Sequence, residues 1–173
     1  MPDLIRLCES ERVFVRQLSS DDLDDLYQVY SDPDAMQWVG EGDPITFDEC
    51  IKWIEVTERN YQNRGYGMFA VAQKHSNQII GFCGLVHPDG QLLPEIKYAY
   101  RKEFWGQGYA SEVAGIVLDY ATKKLGLSEV IATIAPENAA SIRVVEKLGM
   151  IRSDPREEDD GSFTEVYVFS LSE

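Results

Sequence analysis

The residues whose types and spacing could do chemistry begin with two glycines just ahead of a helical pattern. The stretch FWGQGYASE, residues 104–112, places Gly106 and Gly108 one residue apart, and the apolar pattern of a helix follows over residues 109–125. The first turn of a helix has unpaired N–H groups and a partial positive charge, which together favour an anion. Glycine carries no side chain that would keep a phosphate away from the backbone. The spacing therefore predicts an anion site, with a simple tight turn as the alternative.

Three kinds of phosphate site compete for this stretch. A P-loop requires a Gly-Lys-Ser/Thr ending, which the sequence lacks here. A dinucleotide fingerprint requires a third glycine where this chain has Ser111, and it belongs early in a strand–helix–strand unit rather than late in a chain. The third kind of site holds the pyrophosphate of a ligand such as coenzyme A through successive backbone amides. It requires neither the Gly-Lys-Ser/Thr ending nor the third glycine.

A second pair of polar residues follows a buried strand. Asn138 and Ser141 are three residues apart, and so lie on one face of a helix predicted over residues 138–148. The preceding stretch, 129–135, is nearly all apolar, which is typical of a strand covered on both faces. Either polar residue could instead serve only as a helix cap.

An ordered series of strands and helices must position these residues. Apolar alternation predicts six strands, at residues 12–18, 66–73, 78–87, 92–100, 129–135 and 163–171. Four helices are predicted, one starting at Ser20 or Asp21 and the others at 46–63, 109–125 and 138–148. Residues 32–46 and the acidic stretch 154–162 are predicted as loops. Successive strands followed by a strand–helix–strand unit predict a mixed sheet covered by helices, in an α/β or α+β domain with one core.

Charge limits the class of partner. The chain of 173 residues has 16 Lys and Arg against 30 Asp and Glu, a net charge of −14. Nucleic acids and anionic membranes are disfavoured as partners, because both are bound largely through basic side chains. A cationic ligand would be attracted, although screening limits the reach of that attraction to about 8 Å.

The cysteines and histidines predict neither a disulfide framework nor a metal site. Cys8, Cys50 and Cys83 are an odd number without a CxxC pair, and His75 and His87 lie in turn-like stretches far from any cysteine. Buried structural thiols are the simpler interpretation. The amino terminus lacks the apolar core of a signal peptide, and no apolar run approaches 18 residues. We therefore expect a cytoplasmic protein.

Two segments together resemble a known family. Residues 95–111 and 136–150, EIKYAYRKEFWGQGYAS and PENAASIRVVEKLGM, closely resemble the GNAT superfamily of acetyl-CoA-dependent N-acetyltransferases. The nearest branch is that of the ribosomal-protein N-terminal alanine and serine acetyltransferases and the spermidine acetyltransferases. The resemblance implies one GNAT domain over residues 1–173, with a mixed, mostly antiparallel sheet of about six or seven strands and about four helices. Dimers are common in that branch, so it also implies a homodimer as one option.

The resemblance further implies where acetyl-CoA would bind. The family's pyrophosphate loop, Arg/Gln-x-x-Gly-x-Gly/Ala, falls on residues 105–110, where Gly108 and Ala110 match and Trp105 departs at the first place. The implied pyrophosphate ligands are the amides of Gly106, Gln107, Gly108, Tyr109, Ala110 and Ser111. The implied pantetheine partners are the backbone groups of Tyr98, Ala99 and Tyr100, with Asn138 near the cofactor arm. Added positive charge could come from Arg101, Lys102, Arg143 or Lys147, although each is more simply a solvated surface charge.

The resemblance also implies catalytic residues, but they match the family pattern less closely than the cofactor loop does. Glu95 matches a strand glutamate that serves as base in several members, but a carboxylate is a poor base near pH 7 unless burial raises its pKa or water relays the proton. An exposed glutamate paired with Lys97 is the alternative. Many members carry a tyrosine acid for the leaving thiolate where this chain has Val145, so Ser141 is the candidate hydroxyl.

The acceptor is expected to be a cationic amine, such as a protein N-terminus or a polyamine. It would enter along residues 36–44, where Trp38 and Glu41 could meet it, although Trp38 could equally be core. A catalytically degenerate CoA-binding module and a small nucleotide-binding protein remain as alternatives to the enzyme. No metal is expected.

Overall fold

The structure, a computed structural model, describes residues 5–39 and 42–171 and alternates strands with helices. In chain order the elements are β1 (Arg6–Glu9), β2 (Val13–Gln17), α1 (Leu23–Tyr30), α2 (Pro33–Met36), α3 (Phe47–Arg64), β3 (Met68–Gln73), β4 (Ile79–Val86), β5 (Glu95–Tyr100), α4 (Tyr109–Lys123), β6 (Glu129–Ile134), α5 (Ala139–Lys147), β7 (Ile151–Arg152), β8 (Arg156–Glu157) and β9 (Phe163–Ser170). None of these helices is both long enough and apolar enough to span a bilayer.

The strands form one mixed, mostly antiparallel sheet, which confirms the predicted fold class. Its order is β1-β2-β3-β4-β5-β6-β9-β7, with β8 paired to β9. All neighbouring strands pair antiparallel except β5 and β6. Because α4 connects β5 to β6, this parallel pair is the crossover unit expected from the sequence.

The sheet is larger than predicted, and the additional elements are short. β7 and β8 have two residues each, and β8 lies inside the stretch predicted as an acidic loop. The helix α2 lies inside the other predicted loop, where the Asp32 side chain accepts a hydrogen bond from Asp34 N and Pro33 occupies the first turn. Both are helix-start signals, but one helical turn has too few residues to show periodicity.

Apolar side chains cover the two faces of the sheet separately. One face packs against α4 and α5 in a cluster that includes Phe69, Leu85, Val113 and Leu118. The opposite face packs against α1, α2 and α3, with Phe82 among its buried residues. Burial of each such side chain contributes roughly 1.5–3 kcal/mol. The strands between them are thereby fixed, and β5 contributes buried residues to both clusters.

The cysteines differ in burial. Cys50 and Cys83 are buried and Cys8 is half-buried, and all three are free thiols. Burial raises the pKa of Cys8 to about 12 and that of Cys50 to about 11. The interpretation of buried structural thiols is confirmed for Cys50 and Cys83 and is only partly right for Cys8.

Close packing of β3 against β4 gives a test of the fold. A Cβ added at Gly84 would meet the Gly67 carbonyl oxygen and the Met68 Cα well inside contact distance, and neither is a flexible side-chain end. We therefore expect Gly84→Ala to lower the free energy of unfolding by about 1–3 kcal/mol. The measurement is the urea midpoint at constant m-value.

Gly115→Ala is the matched control for this substitution. Gly115 lies within α4, and an added Cβ would meet only Leu148 Cδ2, at 3.4 Å. Alanine in a helix interior is favoured over glycine by roughly 0.5–1 kcal/mol, so this variant should be neutral or more stable. Equal losses in both variants would contradict the packing argument.

Candidate active site

The two central strands β5 and β6 separate after one bridge, and a cleft opens between them. β5 pairs with β4 along its whole length, from Glu95 to Tyr100. It pairs with β6 only through Glu95 and Ile131, next to a 2.9 Å hydrogen bond from Ile131 N to Pro94 O. Beyond that bridge the β6 side of β5 has no strand partner in the described chain. The cleft beside it has a volume of about 840 Å³.

The glycine pair lies at the mouth of this cleft, in the conformation that favours glycine. Gly106 has φ +73° and Gly108 has φ +84°, and Gly108 is the residue that caps the start of α4. A Cβ added at Gly106 would meet no atom within 4 Å. The positive φ angles therefore explain these glycines as a turn, and the open space beside Gly106 leaves its backbone accessible.

The amino terminus of α4 directs unpaired amides toward the same space. The hydrogen bond from Glu112 N to Gly108 O, at 3.1 Å, closes the first turn of the helix. The N–H groups of Tyr109, Ala110 and Ser111 precede that bond and have no acceptor within the helix. All three residues line the cleft. This is the arrangement that holds an anion at a helix terminus.

Arg12, which the sequence analysis did not identify, connects the glycine loop to the edge of the sheet. Its Nη2 donates to Gln107 O at 3.0 Å, and its Nε donates to Glu112 Oε1 at 2.9 Å. Its guanidinium carbon also lies 4.0 Å from the centroid of the Tyr109 ring. No spacing rule could have found this residue, because 95 positions separate it from Gln107.

The Arg12–Glu112 pair is strengthened by a third residue. Ser10 Oγ donates to Glu112 Oε2 at 2.6 Å. Burial raises the pKa of Glu112, but the hydrogen bonds from Ser10 and Arg12 outweigh it and hold that pKa below its usual value. The carboxylate therefore stays ionised, which keeps Arg12 in place beside the loop.

A hydrogen-bonded pair of hydroxyls lies on the opposite wall of the cleft. The Tyr98 OH donates to Ser141 Oγ at 2.9 Å. Burial raises the pKa of Tyr98 to about 12, although the bond to Ser141 opposes the shift. Asn138 Oδ1 accepts from Ser141 N at 3.3 Å, so Asn138 does cap α5, and it lines the cleft as well. Val145, at 2% exposure, is buried beside them.

Glu95 is buried rather than exposed, contrary to the alternative considered above. Only 1% of its surface is accessible, and its Oε2 lies 2.7 Å from Lys97 Nζ. The pairing with Lys97 is therefore present, but it lacks hydrogen-bond geometry, and neither carboxylate oxygen has a hydrogen-bond partner among the described residues. Lys97 lines the cleft, whereas Glu95 is not among the lining residues.

Another side of the cleft is formed by a surface that we call the helical wall. It consists of Asp34, Ala35, Gln37, Trp38 and Val39 from α2 and the turn after it, with Trp53, Val56, Thr57 and Asn60 from α3. Trp38 is 45% exposed, so its interpretation as a core residue is wrong. Glu41, the other residue expected to meet the acceptor, lies outside the described residues.

The structure brings most of the predicted site residues to one cleft. The lining residues are Tyr98, Ala99, Tyr100, Gly106, Gly108, Tyr109, Ala110, Ser111, Asn138 and Ser141. Gln107 and Glu95 are not among them. Of the four cations suggested for the cofactor, Arg101 pairs with Asp25 and Lys102 with Asp34, and none of the four lines the cleft. Within the described ranges no three potential ligands cluster as a metal site would require.

Comparison with known proteins gives the family. A sequence model described as "Acetyltransferase (GNAT) domain" matches residues 12–151. The protein named "Uncharacterized N-acetyltransferase p20" from Bacillus licheniformis is 28% identical over 168 residues, which cover 94% of this chain and 93% of that protein.

Solved structures of the family have the same fold. A GNAT-family acetyltransferase from Bacillus anthracis matches with a TM-score of 0.78 at 27% identity, over 94% of this chain and 97% of that one. Spermidine N-acetyltransferase from Vibrio cholerae, solved with CoA and spermine, matches with a TM-score of 0.77 over 93% and 96% of the two chains. At 19% identity, the second likeness shows the fold alone. The chain belongs to the GNAT family of N-acetyltransferases.

Proposed function

We propose that this protein moves the acetyl group of acetyl-CoA to a primary amine, by direct transfer while both substrates are bound. The acceptor would be a protein N-terminus or a small amine. The observation that carries the proposal is the unpaired edge of β5, which opens onto the unpaired amides at the start of α4. A cytoplasmic location and a homodimer stay predictions from the sequence.

The cofactor would be held mainly by the backbone. Its pyrophosphate would accept hydrogen bonds from amides within residues 106–111, and its pantetheine arm would lie along residues 98–100 as an added strand. The net charge of −14 opposes an anionic cofactor at long range. Screening beyond about 8 Å weakens that repulsion. Arg12, whose guanidinium lies beside Gly108, is paired with Glu112, so its proposed role is to position the loop rather than to add net positive charge.

The transfer requires three proton movements. The acceptor ammonium must lose a proton before its nitrogen attacks the thioester carbonyl, and Glu95 is proposed to take it through a water beside Lys97. A β5 amide among residues 98–100 would stabilise the oxyanion. The N–C bond forms, the attacking nitrogen releases its second proton to water, the C–S bond breaks, and Ser141 or a water protonates the departing thiolate. Because Ser141 Oγ accepts from Tyr98, its own proton is left for another acceptor.

Two alternatives predict different behaviour. A degenerate module would bind CoA without transferring the acetyl group, as the valine at position 145 makes conceivable. A small nucleotide-binding protein would bind ATP or NAD but not CoA. The free β5 edge favours a ligand with amides to pair, which pantetheine has and a nucleotide triphosphate lacks.

The central test measures free thiol released from acetyl-CoA when amines and N-terminal peptides are supplied. We expect thiol release that depends on the amine, with binding of CoA visible by calorimetry. CoA binding without amine-dependent release would support the degenerate module. Glu95→Gln should keep CoA binding and lower kcat/KM by about a hundredfold, because it removes the proton acceptor. Glu129→Gln, an exposed carboxylate at the start of β6, is the matched control.

Arg12 provides a test of the cofactor site. Arg12→Ala removes the contacts to Gln107, Glu112 and Tyr109, so we expect CoA affinity to fall by about tenfold, or roughly 1.4 kcal/mol. The CoA affinity of Arg12→Lys should lie between those of the wild type and Arg12→Ala, since lysine keeps the charge and loses the planar guanidinium. Calorimetric titration with CoA is the measurement.

Arg6→Ala is the control for the Arg12 variants. Arg6 also stacks on an aromatic ring, with its guanidinium carbon 4.0 Å from the Phe14 centroid, but it has no contact with the glycine loop. An equal loss of affinity in Arg6→Ala and Arg12→Ala would show a general charge effect and contradict the positioning role.

The hydroxyl pair gives a pH prediction. We expect Ser141→Ala to lower kcat by about a hundredfold, as for loss of a general acid, and Tyr98→Phe to lower it less. Since the pKa of Tyr98 is raised to about 12, its phenol stays protonated as pH rises from 6 to 10. The ratio of wild-type to Tyr98→Phe rates should therefore be constant over that range in stopped-flow or thiol-release assays. A ratio that falls toward one as pH rises would mean that Tyr98 ionises there and does not serve as the donor.

A further inference from the structure

The helical wall presents large apolar side chains to the cleft instead of burying them. Trp38 and Val56 are each 45% exposed and Trp53 is 37% exposed, and all three line the cleft. Trp53 is held edge-on against Tyr30, with ring centroids 4.8 Å apart. Met68, from β3, lines the cleft as well. Exposed apolar side chains that converge inside a cleft are typical of a site for an apolar ligand.

Charged groups are scarce in the same space. Of the described residues that line the cleft, Asp34 and Lys97 alone carry a charge. Asp34 is already paired with Lys102, and Lys97 with Glu95. Asp34 is thus the one acidic residue among the described residues that line the cleft. A polyamine would bring a second and a third ammonium to a described lining whose one carboxylate already has a partner.

Lys97 adds a reason for an acceptor of low charge. Glu95 offsets part of its charge, but Lys97 is the member of the pair that lines the cleft, with 36% of its side chain exposed. A nearby cation disfavours the charged form of another amine, which promotes the neutral amine that can attack the thioester. The same repulsion acts on every further ammonium of a polycation, where it brings no benefit.

We propose that the acceptor is a monoamine whose amino group is attached to an aromatic or bulky apolar group, and that the helical wall binds that group. This inference rests on the proposed acetyl transfer. The amine would lie next to Lys97, which pairs with the Glu95 carboxylate, and the apolar group would contact Trp38, Trp53 and Val56. Aromatic side chains stack well on other aromatic groups, and stacking does not require a counter-charge.

The test compares amines in the thiol-release assay with acetyl-CoA. The probes are 2-phenylethylamine and tryptamine as aromatic monoamines, ethanolamine as a polar monoamine, and putrescine and spermidine as polyamines. We expect kcat/KM for the aromatic monoamines to exceed that for spermidine and ethanolamine by at least about tenfold, the discrimination usual for an apolar pocket. Equal values, or a preference for spermidine, would overturn the inference and leave acetyl transfer intact.

A charge introduced into the helical wall sharpens the comparison. Val56→Glu should lower kcat/KM for 2-phenylethylamine by about tenfold and raise it for spermidine, because a carboxylate then replaces an apolar contact. Ile51→Glu is the matched control, since Ile51 lies on the same helix at 38% exposure and does not line the cleft. If both variants change the two amines alike, the effect is one of overall charge, and the helical wall is not the binding surface.

Failure of the transfer itself is distinguishable from failure of this inference. A protein that binds CoA by calorimetry but releases thiol with none of the amines or N-terminal peptides would refute the proposed function and the inference with it. If N-terminal peptides cause thiol release and none of the small aromatic amines does, only the inference is refuted. Calorimetric CoA binding by Val56→Glu and Ile51→Glu shows that both variants are folded.

Discussion

The structure depends on the separation of β5 from β6 after a single bridge. A central strand normally has its backbone groups paired on both sides, because an unpaired buried N–H or C=O costs free energy. Here the pairing of β5 with β6 ends at Glu95 and Ile131, while its pairing with β4 continues to Tyr100. The sheet thus has an unpaired strand edge between two of its central strands. Such an edge is tolerable where water or a ligand with amide groups supplies the missing hydrogen bonds, which is the role proposed for the pantetheine arm.

The pleat of β5 directs successive side chains to different parts of the cleft. Tyr98 and Tyr100 project toward the cluster with α4 and α5, while Lys97 and Ala99 project toward α1, α2 and α3. The hydroxyl pair and the amides of α4 therefore face one arm of the cleft, and the helical wall faces the other. One strand of six residues can position a cofactor on one side and an acceptor on the other, because successive side chains alternate.

Sequence patterns were sufficient where an element is long and its period is clear. The helix predicted over residues 46–63 is observed at Phe47–Arg64, and the final strand predicted over residues 163–171 at Phe163–Ser170. They were insufficient for β1, β7 and β8, which have two to four residues each, none of them buried. Such strands are defined by the neighbour they pair with, and that neighbour is known only from the tertiary fold.

The residues of the candidate site differ in the same way in how far the sequence predicts them. Gly106 and Gly108 are recognisable because a local backbone conformation and a helix start lie next to each other in the chain. Arg12 is not recognisable, because its contacts to the loop bridge 95 residues. The bond between Tyr98 and Ser141 spans 43 residues and likewise has no local signature. Local backbone geometry can be predicted from residue type, whereas long-range contacts can be predicted only when the order of strands in the sheet is known.

The charge of the chain shows why composition is a poor guide to a ligand. A net charge of −14 suggested a cationic partner, yet the two charged residues in the described lining of the cleft are of opposite sign, and each already has a partner. Charges on the outer surface act through water and salt, which screen them over about 8 Å. Groups inside the cleft act at contact distance with less water between them. The proposed recognition therefore depends on the few residues that line the cleft, where Trp38 and Trp53 present apolar surface.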